Sequence, residues 1–165
     1  MNRKSQAALE FLTTYGLAFL IILIMIGALA YFGILSPSRL TPNRCNFGAE
    51  FQCLDYKIDS AGNTFNLKLK NNVGDTINVD AGKITVSSET ATTYNCPTPL
   101  TGSPAIPTWA TGEQKDITLT SCNTALAGFI AGEKAKVLVS IDYYILNSGN
   151  TYTRTVKGEV YASVQ

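Results

Sequence analysis

The sequence predicts an α+β chain in which one long hydrophobic N-terminal α-helix precedes an all-β domain of immunoglobulin-like sandwich type. Three observations predict it. The run from Tyr15 to Leu35 is 21 residues without a charge. From Cys53 onward apolar residues recur with a period of two, the mark of strands with one buried face. All four cysteines lie C-terminal to the apolar run. At 165 residues the chain has room for one small domain and one accessory element, and not for two domains of ordinary size.

The first element is the helix. An uncharged run of 21 residues can cross a hydrocarbon core of roughly 30 Å. Arg3 and Lys4 stand before it, and the positive-inside rule holds them on the cytoplasmic side, so the C-terminal part faces outward. No small-residue cleavage site in a polar context follows closely, so the apolar run is expected to be retained. Continued upstream through Ala7, the helix would reach Leu35 over about 43 Å, with Ser36 and Pro37 stopping it. Glu10 conflicts with a plain anchor, because a carboxylate among Leu9, Phe11 and Leu12 is costly unless it is paired or protonated. It either sits at headgroup level, where the first-turn dipole tolerates a negative charge, or it has a cationic partner.

The stretch Arg3-Lys4-Ser5-Gln6-Ala7-Ala8-Leu9-Glu10-Phe11, followed by Thr13-Thr14-Tyr15-Gly16 and an unbroken aliphatic helix, resembles the class III signal peptide of archaeal type IV pilin-like proteins. The resemblance covers about a fifth of the chain. It implies that a dedicated membrane peptidase cuts between Ser5 and Gln6, leaving Gln6 as the new terminus and Glu10 as the fifth mature residue. Many relatives carry Gly where this chain has Ser5. The implied organisation is a cleaved cytoplasmic head at 1–5, an assembly and transmembrane helix at 6–35, a polar Pro-containing linker at 36–44 and an extracellular β domain at 45–165.

Cleavage would remove two cations and expose an α-amine at Gln6. In a bundle of identical helices, Glu10 of one subunit could meet the Gln6 amine of a neighbour, each relieving the other's burial and setting the axial register. Gly27, Ala30 and Gly33, three residues apart, either form a narrow groove for a neighbouring backbone or reflect the ordinary abundance of small residues in membrane helices. The implied partners are identical subunits in a helical homopolymer, a prepilin peptidase, an assembly ATPase with its membrane platform protein, and the membrane before assembly. The implied location is the cell surface, as an extracellular filament.

The β domain follows. Phe65, Leu67 and Leu69 alternate with Asn66, Lys68 and Lys70, predicting a half-buried strand. Asn71 to Asp75 reads as a turn, and Ile77, Val79, Ile84 and Val86 continue the alternation. Val137, Val139, Ile141 and Tyr143 form one later strand, Val156, Val160, Ala162 and Val164 another, joined as a hairpin at Asn147 to Asn150. Six or seven short strands of this spacing suggest the sandwich. Ser87 to Gly112, with four of the six prolines, is expected to be a long surface loop tied at Cys96. Trp109 lies in it, either exposed as an adhesive contact or plugging the end of the sandwich.

Cys45, Cys53, Cys96 and Cys122 contain no CxxC pair, which favours two disulfides in an oxidising compartment over zinc or redox chemistry. Four cysteines allow three pairings; loop economy favours Cys45 with Cys53, leaving Cys96 with Cys122. With no His, no GxSxG, no phosphate-cradling glycine loop and no basic stripe at a net charge of +1, nothing predicts catalysis, a cofactor, a metal or nucleic-acid binding. Asp55, Asp59, Asp75, Asp80, Glu113 and Asp116 are expected at strand ends and turns. Three rivals to the filament subunit remain: a minor pilin, a single-pass surface-anchored binding module, and a subunit of the archaeal swimming filament, whose members usually lack the Gln and Glu pair.

Overall fold

The computed structural model describes residues 3–32, 41–89, 94, 96 and 104–165, and within the N-terminal helix it describes side chains from Glu10 onward. The chain divides into two compact units, Met1–Thr41 and Pro42–Gln165.

The first unit holds one helix, α1, Arg3–Tyr31, of 29 residues. Ala and Leu, which lose little side-chain freedom in a helix, dominate it, and Ile, though β-branched, extends the same apolar run. It begins four residues before the expected Ala7. The expected stop at Leu35, Ser36 and Pro37 lies outside the described residues.

The second unit is built from nine strands among the described residues: β1 (Arg44–Asn46), β2 (Phe51–Asp59), β3 (Thr64–Asn71), β4 (Ile77–Val79), β5 (Ile84–Ser88), β6 (Ile106–Trp109), β7 (Gln114–Leu119), β8 (Lys134–Ile145) and β9 (Thr153–Ser163). The larger sheet runs β1-β9-β8-β4-β6, with β5 also on β8; the smaller runs β2-β3-β7. All strand pairs are antiparallel. β4 and β5 lie end to end along one flank of β8, Ile77 opposite Ile145 and Ile84 opposite Ile141.

Alternation decides the packing. In β3 every second residue is buried, Phe65, Leu67, Leu69 and Asn71, and β8 repeats the pattern through Val137, Val139, Ile141 and Tyr143. The inward faces of both sheets feed one buried cluster. Phe51 of the small sheet stacks on Trp109 of the large one, ring centroids 5.0 Å apart, and meets Tyr143 edge-on at 5.6 Å. One side of the pair of sheets is closed by backbone: Ile58 bridges Val164, Gln165 N donates to the Ile58 carbonyl at 2.9 Å, and Ser60 N donates to the Gln165 carbonyl at 2.7 Å.

Several expectations need correction. The stretch Ser87 to Gly112 is not loop throughout, since β6 crosses it. Pro107 is tolerated there because β6 is an edge strand, where a missing N–H breaks no inner ladder, and its carbonyl accepts from Asn78 Nδ2 at 2.9 Å. Of the two readings of Trp109, burial favours the packed one: the residue is fully buried and only the exposed adhesive contact is excluded. Asp55 and Asp116 sit within strands, flanking Lys68 across β2-β3-β7 in one row of alternating charge. Arg44, assigned to the linker, belongs to β1. The expected linker residues 36–40 lie outside the described residues.

Gly158 occupies an inward position of β9 between Val156 and Val160. A Cβ there would overlap the Phe47 ring, so glycine makes room for the phenyl group that seals this edge.

Candidate functional site

The residues singled out for function fall into the N-terminal helix and the cysteine framework. Ser5 and Gln6 lie within the backbone of α1, and their side chains are outside the described residues. Glu10 is in the helix and exposed within this single chain. Thr13 Oγ1 and Thr14 Oγ1 both donate to the Glu10 backbone carbonyl, at 3.0 and 2.9 Å. Their hydroxyls are thereby satisfied within the helix, which lets two polar residues stand at the head of an apolar span. The 22 residues from Glu10 to Tyr31 have mean hydropathy 2.3, and none of the span's most apolar window is buried by the rest of the chain.

This helix has no amphipathic division. Phe11, Leu17, Phe19, Ile24, Met25 and Tyr31 point to different sides of the cylinder and all are exposed. A helix apolar all round is stable only in lipid or among other apolar elements. Phe11 and Tyr15, one turn apart, meet with ring centroids 4.2 Å apart and planes tilted by 37°. A Cβ at Gly16 or Gly27 would meet nothing within 4 Å, so each glycine leaves an open notch in the helix surface. Gly33, the third member of the expected groove, lies outside the described residues.

In the β unit, Cys45 pairs with Cys53 and Cys96 with Cys122, spanning 8 and 26 residues of sequence, and none of the four cysteines is free. The first bond ties β1 in the large sheet to β2 in the small one. The second lies beside a backbone tie, Cys122 N to the Asn63 carbonyl at 2.9 Å, that holds the β2-β3 turn. Asn63 adopts a left-handed conformation in that turn (φ 50°), as asparagine tolerates. Hydrogen bonds from the Gly62 amide and then Lys57 hold the Asp59 carboxyl below its usual range.

Several surface charges form local pairs. Lys136 reaches Glu89 at 3.0 Å and Glu159 at 3.4 Å, and Glu159 also pairs with Arg44 at 3.1 Å. Glu89 and then Glu159 raise the Lys136 pKa, with partial desolvation opposing them. Lys115 and the Ala110 amide lower that of Glu113. Burial pushes the Tyr94 hydroxyl up, and its oxygen has no hydrogen-bond partner among the described residues. Among the described residues no group of three or more His, Cys, Asp or Glu side chains could hold a metal ion.

Two features were not singled out from the sequence. One is Asn71, buried at the junction of β3, β6 and the turn that follows β3. The other is the loop Ala125–Gly132, where Leu126 and Ile130 are exposed. A short apolar run between strands is the only sequence signal of that loop, and it is easily taken for another strand.

No protein family matches the chain, and no curated protein matches it. Among solved structures, the solution structure of a late embryogenesis abundant (LEA) protein is similar over 92% of this chain and 88% of its own, at 11% identity and a TM-score of 0.32. At that score the likeness carries no argument.

Proposed function

We propose that this chain is the structural subunit of an archaeal type IV pilus-like surface filament, polymerising through α1 and displaying the β unit outward as an immunoglobulin-like sandwich. The observation that carries the reading is the conjunction at the N-terminus: the ordered series Arg3, Lys4, Ser5, Gln6, Glu10 opens a helix whose apolar side chains are exposed on every side. The basic head orients the precursor and Gln6 becomes the terminus. Glu10 then pairs with a neighbour's Gln6 amine as helices leave lipid for a bundle. Two sheets feeding one core support the sandwich, and two disulfides suit an exterior compartment. The role is structural, without a cofactor, and its partners are identical copies and the assembly machinery.

The test is Glu10→Ala beside wild type, with processing at Gln6 verified by N-terminal sequencing. Loss of the carboxylate leaves the amine buried and unpaired, a cost on the order of 3 to 5 kcal/mol per subunit, so inserted precursor should accumulate without sheared filaments. Equal filament yield removes Glu10 from assembly. Absence of filaments from wild-type cells favours a single-pass anchored binding module instead.

A further inference from the structure

We infer that the tip of the β8-β9 hairpin is a binding site for an acidic saccharide, a sugar that carries a carboxylate. The site lies wholly within the β unit, and the filament reading adds to it only the exterior setting in which such polymers occur. A cleft of about 600 Å³ opens at the tip, lined by Ile145, Ser148, Thr151, Tyr152, Thr153 and Arg154. Its volume falls within the range of small-ligand sites, roughly 300 to 1,000 Å³.

The fold fixes the cleft and sets it far from the chain's entry. Ile145 pairs with Ile77, Leu146 N donates to the Thr76 carbonyl at 3.0 Å, and the 3-10 turn Leu146–Ser148 ends at Gly149, whose φ is 73°. On the other arm, Thr153 pairs with Tyr144 and Arg154 with Tyr143. β1 joins β9 with Arg44 opposite Tyr161, so the tip at Thr153 stands about 26 Å along the strand from the point where the chain enters the unit. A site built on a held turn loses little freedom when a ligand docks.

The lining selects the ligand. Arg154 is the charged side chain of the cleft. It is exposed and sits on the inward side of β9, one step beyond buried Val156, at the rim of the core. Among the described residues it makes no ion pair, and all 12 Asp and Glu of the chain are described, so no side-chain carboxylate of the chain stands within 4.0 Å of it. A guanidinium is a planar fork of N–H donors that a carboxylate matches, whereas a neutral ligand would strip its water without replacing it. One cation is too few for a nucleic acid, which is held by a series of them. Ser148, Thr151 and Thr153 add hydroxyls that both donate and accept, and a lipid tail would leave them unpaired. Tyr152 is 71% exposed, and its ring is a flat apolar face against which the C–H side of a pyranose can lie. A uronic acid answers all three features in one small ring: carboxylate to Arg154, hydroxyls to the Ser and Thr, apolar face to Tyr152.

The experiment titrates the full chain, held in a non-ionic detergent, with trigalacturonate, with its methyl ester and with triglutamate. Trigalacturonate should bind, and the ester about tenfold or more weaker, a comparison that needs no variant. Arg154→Gln should weaken trigalacturonate binding about tenfold or more, and Tyr152→Ala about fivefold. Lys157→Gln removes the same charge from the opposite side of β9 and should leave binding unchanged, which separates a site from general attraction. Wild-type Trp109 emission in each variant separates lost binding from lost folding. The inference is overturned by absence of trigalacturonate binding up to about 10 mM, by equal binding of the ester, or by equal losses from Arg154→Gln and Lys157→Gln. Triglutamate bound as tightly as the sugar also overturns it and assigns the cleft to acidic peptides. Cells without filaments overturn the filament reading alone, since these titrations need no filament.

Discussion

Asn71→Asp is the substitution whose cost can be worked most directly from the geometry. Asn71 is fully buried. Its Nδ2 donates to the Asp75 and Trp109 carbonyls, each at 2.9 Å, while its Oδ1 accepts from Val73 N at 2.8 Å. Its backbone joins the same knot, N to the Glu113 carbonyl at 3.0 Å and carbonyl from Gly112 N at 2.7 Å. Aspartate keeps the shape and the Val73 bond and replaces a two-hydrogen donor with an oxygen. Protonated, that oxygen can serve one carbonyl and strands the other, at about 1 to 3 kcal/mol. Ionised, it places a negative charge against two carbonyl oxygens, so the folded-state pKa rises well above the unfolded value of about 3.9. A raised folded pKa leaves the variant's folded state relatively best off below pH 3.9 and costs it progressively as pH rises above that. If the carboxyl stays protonated at pH 7, the added penalty there is about 4 kcal/mol, at 1.36 kcal/mol per pH unit.

Trp109 is the chain's single tryptophan, stacks on Phe51 and receives the Asn71 bond, so its fluorescence reports urea unfolding. The quantity to read is variant minus wild type at pH 3.5 and pH 7. Wild type has its own acid sensitivity, because Asp59 and Glu113 have lowered folded pKa values and their stabilisation is lost as pH falls through them. The difference should be about 1 to 3 kcal/mol at pH 3.5 and several kcal/mol larger at pH 7. A difference under 1 kcal/mol at pH 7, or one that does not change with pH, would refute the assigned hydrogen bonds.

Other substitutions probe separate parts. Gly158→Ala should lower stability by about 1 to 3 kcal/mol by driving a methyl into the Phe47 ring, read as a fall in the urea midpoint; an unchanged midpoint would mean Phe47 has another seat. Cys96→Ser with Cys122→Ser should cost roughly 3.5 kcal/mol for opening a ring of that size, and freshly isolated wild type should take up no alkylating reagent. Cys45→Ser with Cys53→Ser should speed amide exchange at Arg44 and Asn46 of β1 while leaving Val139 in central β8 protected, as followed by site-resolved hydrogen exchange.

Legibility followed the strength of local pattern. β3, β8 and β9 could be read because each alternates over eight or more residues. β6 could not, because its four residues contain a proline that only an edge position admits. The reading of Asp55 and Asp116 as turn residues failed because Lys68 stands between them only after three strands pair. Gly158 carries no local signal of its role, since its reason is a ring more than a hundred residues away in sequence. Asn71 read as the first residue of a turn, which it is, and nothing local says that its amide also binds a carbonyl 38 residues on. The helix, by contrast, is legible from composition alone.

The two disulfides differ in what they contribute, and the shorter is the more telling. A ring closed over a sequence separation of 8 restrains the unfolded chain by only roughly 2.5 kcal/mol, about 1 kcal/mol less than one closed over 26. Entropy is therefore a weak reason to place a bond at Cys45. Its position supplies a better one. The chain enters the domain through β1, three residues whose ladder reaches β9 alone. Net hydrogen bonding of about 1 kcal/mol apiece holds that strand poorly, and the Arg44–Glu159 pair is too exposed to add much. Any pull along the backbone from Pro42 meets β1 first and would peel it from β9. The Cys45–Cys53 bond carries that load into β2, and through it into β3 and β7, so both sheets resist together. If the chain is the filament subunit proposed above, shear on the domain would travel along this route, and the covalent link stands at its weakest point.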